Sequence, residues 1–179
     1  MKKIVIDCRY LGMSGVGRVL ENVLLNLKYS KDYYFILWGA KKNIDQFQAN
    51  EFIYDETSPF SMKSMFNKNI NKINRTDVLF TPYFIIPYGI KVEIISMIHD
   101  MVLLDMPEVN KNKIEYLMKK YILKRAVRKS KQIITVSKFS LDRIIAYYPK
   151  YKQKFSFHYL GVAEDCKTFF SEIKKKKNQ

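Results

Sequence analysis

Two glycines, Gly15 and Gly17, follow a short apolar run in "IDCRYLGMSGVGRVLENVLLNL" (6–27) and lead into an amphipathic stretch. Glycine lets a backbone approach a ligand with no Cβ between them, and free N–H groups opening a helix attract phosphate. The spacing is not the dinucleotide fingerprint G-x-G-x-x-G, because Leu20 stands at its third glycine position. The lysine–serine pair of a P-loop is missing as well. On spacing alone, a plain turn is the simpler explanation. Arg9 precedes the glycines and Arg18 follows them, and both are candidates to line a site there. His99 and Asp100 close "VEIISMIHD" (92–100). A histidine titrates near neutral pH and can act as acid, base or phosphate partner, whereas an isolated loop histidine is more often structural. His158 falls inside an expected strand and reads as structural. Tyr83 and Phe84 follow Pro82 after "DVLFT" (77–81), as a stacking wall for a substrate or a lid on the core. Ser137 reads as a helix N-cap, worth about 1 kcal/mol, with ligand contact a secondary role.

The elements that must hold these residues alternate. Apolar runs at 3–8, 33–38, 51–54, 77–81, 92–100, 132–137 and 154–160 read as strands. Helical spacing covers 16–28, 61–74, 111–130 and 138–148, the last stopped by Pro149. Continuous apolar strands separated by helices predict one Rossmann-like α/β domain over 1–170, with a doubly wound, mostly parallel sheet. A basic tail is expected over 171–179. Ligands of such sheets sit at the carboxyl ends of the strands, where several of the residues singled out above fall.

Composition bounds the class. The 179 residues suit one ordinary domain, and 47% hydrophobic content excludes a disordered chain. A net charge of +15 favours an anionic partner: a phosphorylated ligand, an anionic membrane leaflet or nucleic acid. Cys8 and Cys166 have no metal or disulfide spacing, and Cys8 reads as a buried free thiol. The N-terminal apolar run is too short for a signal peptide, and the longest run falls short of the ~20 residues a spanning helix needs. A cytoplasmic chain is expected, not a membrane-spanning one.

Five segments, "IDCRYLGMSGVGRVLENVLLNL", "DVLFTPYFIIP", "ISMIHDMVLLDMPE", "QIITVSKFSLDRI" and "HYLGVAEDCKTF", stand in the order found in the N-terminal half of GT-B fold glycosyltransferases. The chain most resembles the retaining nucleotide-sugar enzymes of glycosyltransferase family four, from Ile4 to about Phe169. The resemblance implies that Gly15 and Gly17 face the donor diphosphate and that His99 lies beside the reacting sugar. Arg9, Arg18, Tyr83, Phe84, Asp100 and Ser137 would contact the acceptor or otherwise line the site. Leu160 stands where the family usually has asparagine. No metal is implied, since no Asp-x-Asp motif occurs, and no cofactor either: the nucleotide-sugar is a donor substrate. The family binds that donor mainly in a second domain carrying two glutamates separated by seven intervening residues. Glu164 and Glu172 have this separation without the motif's Gly–Leu–Pro setting and read as a chance match. The chain is therefore expected to be the acceptor-binding half of a transferase, acting with a donor-binding GT-B domain on another chain. A non-catalytic remnant serving as an interaction module is the alternative.

The acceptor implied is a glycan or lipid-linked glycan, and an anionic membrane surface is a further expected partner, at the inner face. The segment 60–73, with Met62, Met65 and Phe66 among lysines, is the preferred membrane contact. For 111–131 the apolar stripe is expected against the sheet, with only its basic edge adding lipid contact. A nucleic-acid module is disfavoured, because the basic residues are spread along the chain without a recognised motif.

Overall fold

The computed structural model describes residues 1–27 and 31–161. Its strands are β1 (Lys2–Asp7), β2 (Tyr33–Gly39), β3 (Glu51–Tyr54), β4 (Val78–Thr81), β5 (Glu93–Met97), β6 (Gln132–Thr135) and β7 (Phe155–Phe157). They form one sheet in the order β3-β2-β1-β4-β5-β6-β7, and every neighbouring pair is parallel. The helices are α1 (Ser14–Leu25), α2 (Lys41–Ile44), α3 (Met62–Met65), α4 (Ile70–Ile73), α5 (Val102–Asp105), α6 (Lys113–Lys129) and α7 (Lys138–Tyr147). Among the described residues, no helix is long and apolar enough to cross a membrane.

Side chains alternate across a strand, so a sheet covered on both faces needs apolar residues at every position. In β1, Ile4 and Ile6 pack with Leu20 and Leu24 of α1, while Val5 turns to the opposite face and meets Ile73 of α4. In β2, Phe35 and Leu37 join the first cluster and Ile36 and Trp38 the second. The expected doubly wound α/β architecture is the observed one, and its sheet is wholly parallel. Strands β1 to β3 run outward in one direction, and the chain then returns to lay β4 on the other side of β1. The strand order reverses between β1 and β4, and open α/β sheets hold ligands at the carboxyl ends of strands beside such a reversal.

Three expected elements change. Strand β5 stops at Met97, which leaves His99 and Asp100 in the connection beyond it. Strand β7 stops at Phe157; His158 is exposed, tied by its backbone N–H to the Thr135 carbonyl at 2.9 Å, and not inside the strand as expected. The continuous helix expected over 61–74 is broken into α3 and α4. The break follows from Asp55, which lies buried just after β3. Asn67 and Asn69 each donate a side-chain N–H to Asp55 Oδ2, at 2.6 and 3.3 Å, and Asn67 Oδ1 accepts from the Asn69 N–H. Side-chain bonds of this kind compete with the helix ladder, and here they win. The glutamate pair Glu164 and Glu172, Cys166, most of "HYLGVAEDCKTF" beyond Gly161, and the tail 171–179 lie outside the described residues.

Asp55 also accepts from Trp38 Nε1 at 2.8 Å and from the Thr57 N–H at 2.9 Å. Burial alone would raise its pKa, but the hydrogen bonds from Thr57, Asn67 and Trp38 outweigh burial and hold it below the usual carboxylate range. A carboxylate depressed in the folded state adds stability that is complete above its unfolded pKa and lost as pH falls through the folded one. Asp55→Asn is therefore expected to lose about 1–3 kcal/mol at neutral pH and to flatten the acid limb of stability between about pH 5 and 3. Urea midpoints measured across that range, for both proteins, check this.

Candidate functional site

The loop after β1 is built from its glycines. Gly12 adopts φ +77° and Ser14 φ +43°, two left-handed residues that bring the chain round into α1. Gly17 is buried, and a Cβ on it would lie 2.6 Å from the Tyr10 carbonyl oxygen and 3.1 Å from the Gly12 nitrogen. Its N–H is used by the Met13 carbonyl at 2.8 Å. The second glycine of the pair thus has a packing reason: α1 lies directly on the loop that precedes it. Gly15 is different. It is exposed with open space around its Cβ position, in the first turn of α1. That turn has no side-chain cap and no acidic residue, so its first N–H groups face outward with the positive end of the helix. Arg18 is exposed one turn further on.

Arg9 does not line a site, contrary to expectation. It is 3% exposed, its Nε and Nη2 donate to the two carboxylate oxygens of Asp7 at 2.8 Å each, and its guanidinium lies 3.6 Å over the Trp38 ring. Asp7 stands beside Trp38 in the β1–β2 register, which sets all three groups together in the core. Tyr10 is also buried, its ring 5.7 Å from both Phe60 and Tyr83. Burial and the Asp7 charge push its phenol well above the usual range, so the ring stays neutral.

A cavity of about 420 Å³ opens beside this aromatic group, at the carboxyl ends of β4 and β5. Its walls include Phe60, Tyr83 and Phe84 on one side, Leu103, Val109, Ile122 and Leu123 on another, with His99, Asp100, Asn110 and Lys119 as polar members. The Tyr83 and Phe84 rings are 4.2 Å apart. Tyr83 packs over the Tyr10 core, Phe84 packs against the clusters around Ile98 and Ile86, and both line the cavity. His99 Nε2 is 2.9 Å from the Pro82 carbonyl oxygen. A carbonyl oxygen only accepts, so Nε2 carries the proton and Nδ1 is the basic nitrogen of the neutral ring. The His99 carbonyl accepts from Ser140 Oγ at 2.8 Å. Asp100 Oδ1 accepts from the Val102 N–H at 3.0 Å and so starts α5. Burial, and secondly the Asp100 charge, raise the Tyr83 phenol. The cavity therefore pairs apolar walls with one imidazole, one carboxylate and an ammonium, enough to orient a polyhydroxylated ligand stacked on an aromatic face.

Ser137 is the N-cap of α7: its Oγ accepts from the Ser140 N–H and donates to Ser140 Oγ, each at 3.0 Å. It stands outside the cavity walls and acts on His99 only through Ser140. The structure thus brings His99, Asp100, Tyr83 and Phe84 together, sets the α1 N-terminus with Gly15 and Arg18 at the neighbouring strand end, and removes Arg9 and Ser137 to supporting roles. Asn110 and Lys119 were not foreseen. Asn110 Nδ2 donates to the Pro107 carbonyl at 2.9 Å while its Oδ1 is buried without a partner among the described residues. Lys119 pairs with Glu115 at 2.8 Å. Neither residue follows a strand: Asn110 reaches the cavity from the α5–α6 connection and Lys119 from α6. No protein-family model matches the chain, and no curated protein matches it.

Proposed function

We propose that the chain is the acceptor-binding half of a retaining nucleotide-sugar glycosyltransferase acting on a glycan or lipid-linked glycan, and that it needs a donor-binding domain for turnover. The observation that carries this reading is the cavity beside the topological reversal, where His99 and Asp100 after β5 face Tyr83 and Phe84 after β4. Sugar rings present apolar faces to aromatic side chains and hydroxyls to polar ones, and this wall offers both. In this reading the acceptor stacks on Tyr83 and Phe84. His99, fixed by Pro82 at Nε2, uses Nδ1 to accept a hydroxyl proton or hydrogen bond. The open first turn of α1, with Gly15 and Arg18, supports a diphosphate on the donor side. The donor is a substrate, not a resident cofactor.

The test fuses the chain to, or mixes it with, a donor-binding GT-B C-terminal domain and supplies labelled UDP-, GDP- and ADP-sugars with a lipid and glycan extract. Transfer is expected, and His99→Asn is expected to lower it about tenfold or more, the loss of one well-placed hydrogen bond. No transfer with any partner overturns the reading. A ligand-holding module without turnover is the second reading, favoured by the engagement of His99 Nε2 with the Pro82 backbone. It predicts glycan binding by calorimetry that Tyr83→Ala abolishes, with no transfer in any mixture.

A further inference from the structure

Helix α6 carries two apolar faces. Leu123, Ala126 and Val127 are buried against the sheet and its neighbours. Ile114, Leu117, Met118 and Tyr121, spaced i, i+3, i+4 and i+7, form a second stripe that is 79%, 52%, 48% and 58% exposed. The stripe continues beyond the helix. The Tyr121 phenol lies near that of Tyr88 and raises its pKa, and Tyr88 stacks on Phe66 with ring centroids 5.3 Å apart. Phe66 is 71% exposed. Arg125 fixes the junction, its guanidinium 4.1 Å over the Tyr88 ring while it donates to the Ile86 and Pro87 carbonyls.

Cations border this surface. Lys113, Lys124 and Arg128 are exposed and have no ion-pair partner among the described residues, and Lys120 lies 5.5 Å over the Tyr116 ring. The one acid of α6, Glu115, is held by Lys119. An outward apolar stripe of this kind needs an occupant. A second copy of the chain is disfavoured, because the stripe's own lysines and the net charge of +15 repel their like. We propose that the outer face of α6, extended by Tyr88 and Phe66, docks on an anionic lipid surface. The apolar side chains enter the boundary between headgroups and acyl chains, and the long lysine and arginine stems hold their charges at phosphate level. This adds α6 to the 60–73 segment, where the sequence suggested the contact: Phe60, Met62 and Phe66 of that segment are exposed, Met65 is buried, and Phe66 joins the α6 stripe through Tyr88. Docking is independent of sugar transfer, so the two can fail separately.

The experiment is sedimentation of the full chain with vesicles of phosphatidylcholine alone or with about a third phosphatidylglycerol, at low and at physiological salt. Binding is expected only to the anionic vesicles. Leu117→Ser/Tyr121→Ser is expected to weaken it at least about tenfold, and Lys113→Gln/Lys124→Gln by a similar factor, with circular dichroism unchanged. Soluble polyglutamate at equal charge is expected to compete poorly, since it offers no apolar phase. Any of three results overturns the assignment: no binding to anionic vesicles, binding that the Leu117/Tyr121 variant leaves intact, or full competition by polyglutamate, which would mark an acidic protein partner. Self-association at micromolar concentration that the same variant abolishes would also overturn it.

Discussion

Asp7→Asn is expected to cost the fold about 3–5 kcal/mol, the largest single effect among the substitutions considered. The reason is the group it leaves behind. Arg9 is buried over Trp38, and Asp7 receives its Nε, its Nη2 and its backbone N–H. Burial alone would lower the Arg9 pKa, yet the charge and hydrogen bonds of Asp7 outweigh burial and raise it. Asparagine keeps the shape and one acceptor but not the charge, so a guanidinium stays in a site almost without water. Arginine cannot escape by losing its proton, as a buried lysine would. The stabilisation of the pair itself is a smaller quantity. Replacing both partners by apolar residues of similar volume, Asp7→Leu with Arg9→Met, is expected to recover most of the loss, because desolvation of the two ions disappears with them. Urea denaturation of the two variants and the parent checks this. A single-variant loss below about 1 kcal/mol would mean that water reaches Arg9.

The fate of Arg9 illustrates what the sequence could not disclose. A cation just past a strand end is usually available to a ligand, and the sequence places Arg9 there. Its burial depends on Trp38, which the β1–β2 register sets opposite Asp7, and register is a long-range property. Strands such as β1 and β2 were legible because both of their faces are buried, and so was the parallel sheet they imply. The break at 66–69 was not, because the apolar spacing of Met62, Met65, Ile70 and Ile73 is helical. Two asparagines reaching back to Asp55 decide the issue. In α6, Ile114, Leu117, Met118, Tyr121, Ile122 and Leu123 read as one stripe, whereas the structure buries Leu123 and leaves Ile114, Leu117, Met118 and Tyr121 exposed. His99, Asp100, Tyr83 and Phe84 were found from one rule, that ligands meet the carboxyl ends of parallel strands. Asn110 and Lys119 escape that rule because they reach the cavity from a crossover.

Gly17→Ala is expected to destabilise the chain by about 2–3 kcal/mol, while Gly15→Ala is neutral or stabilises it by up to about 1 kcal/mol. Both positions lie in the first turn of one helix, and intrinsic propensity favours alanine at each. They differ in what the added methyl meets. At Gly15 it meets open space; at Gly17 it meets the Tyr10 carbonyl at 2.6 Å, a backbone atom that cannot rotate away. Either α1 or the loop must move, and the loop carries Tyr10, whose ring touches Phe60 and Tyr83. The strain therefore passes to the aromatic wall of the cavity, and ligand binding there is expected to weaken in Gly17→Ala even at temperatures where it stays folded. The same pair separates the two explanations of the glycines. If Gly17 served a phosphate and not packing, its alanine variant would keep parental stability and lose only donor affinity. Thermal unfolding of both variants, with and without a nucleoside diphosphate, distinguishes the cases. Parental stability of Gly17→Ala would remove the packing explanation.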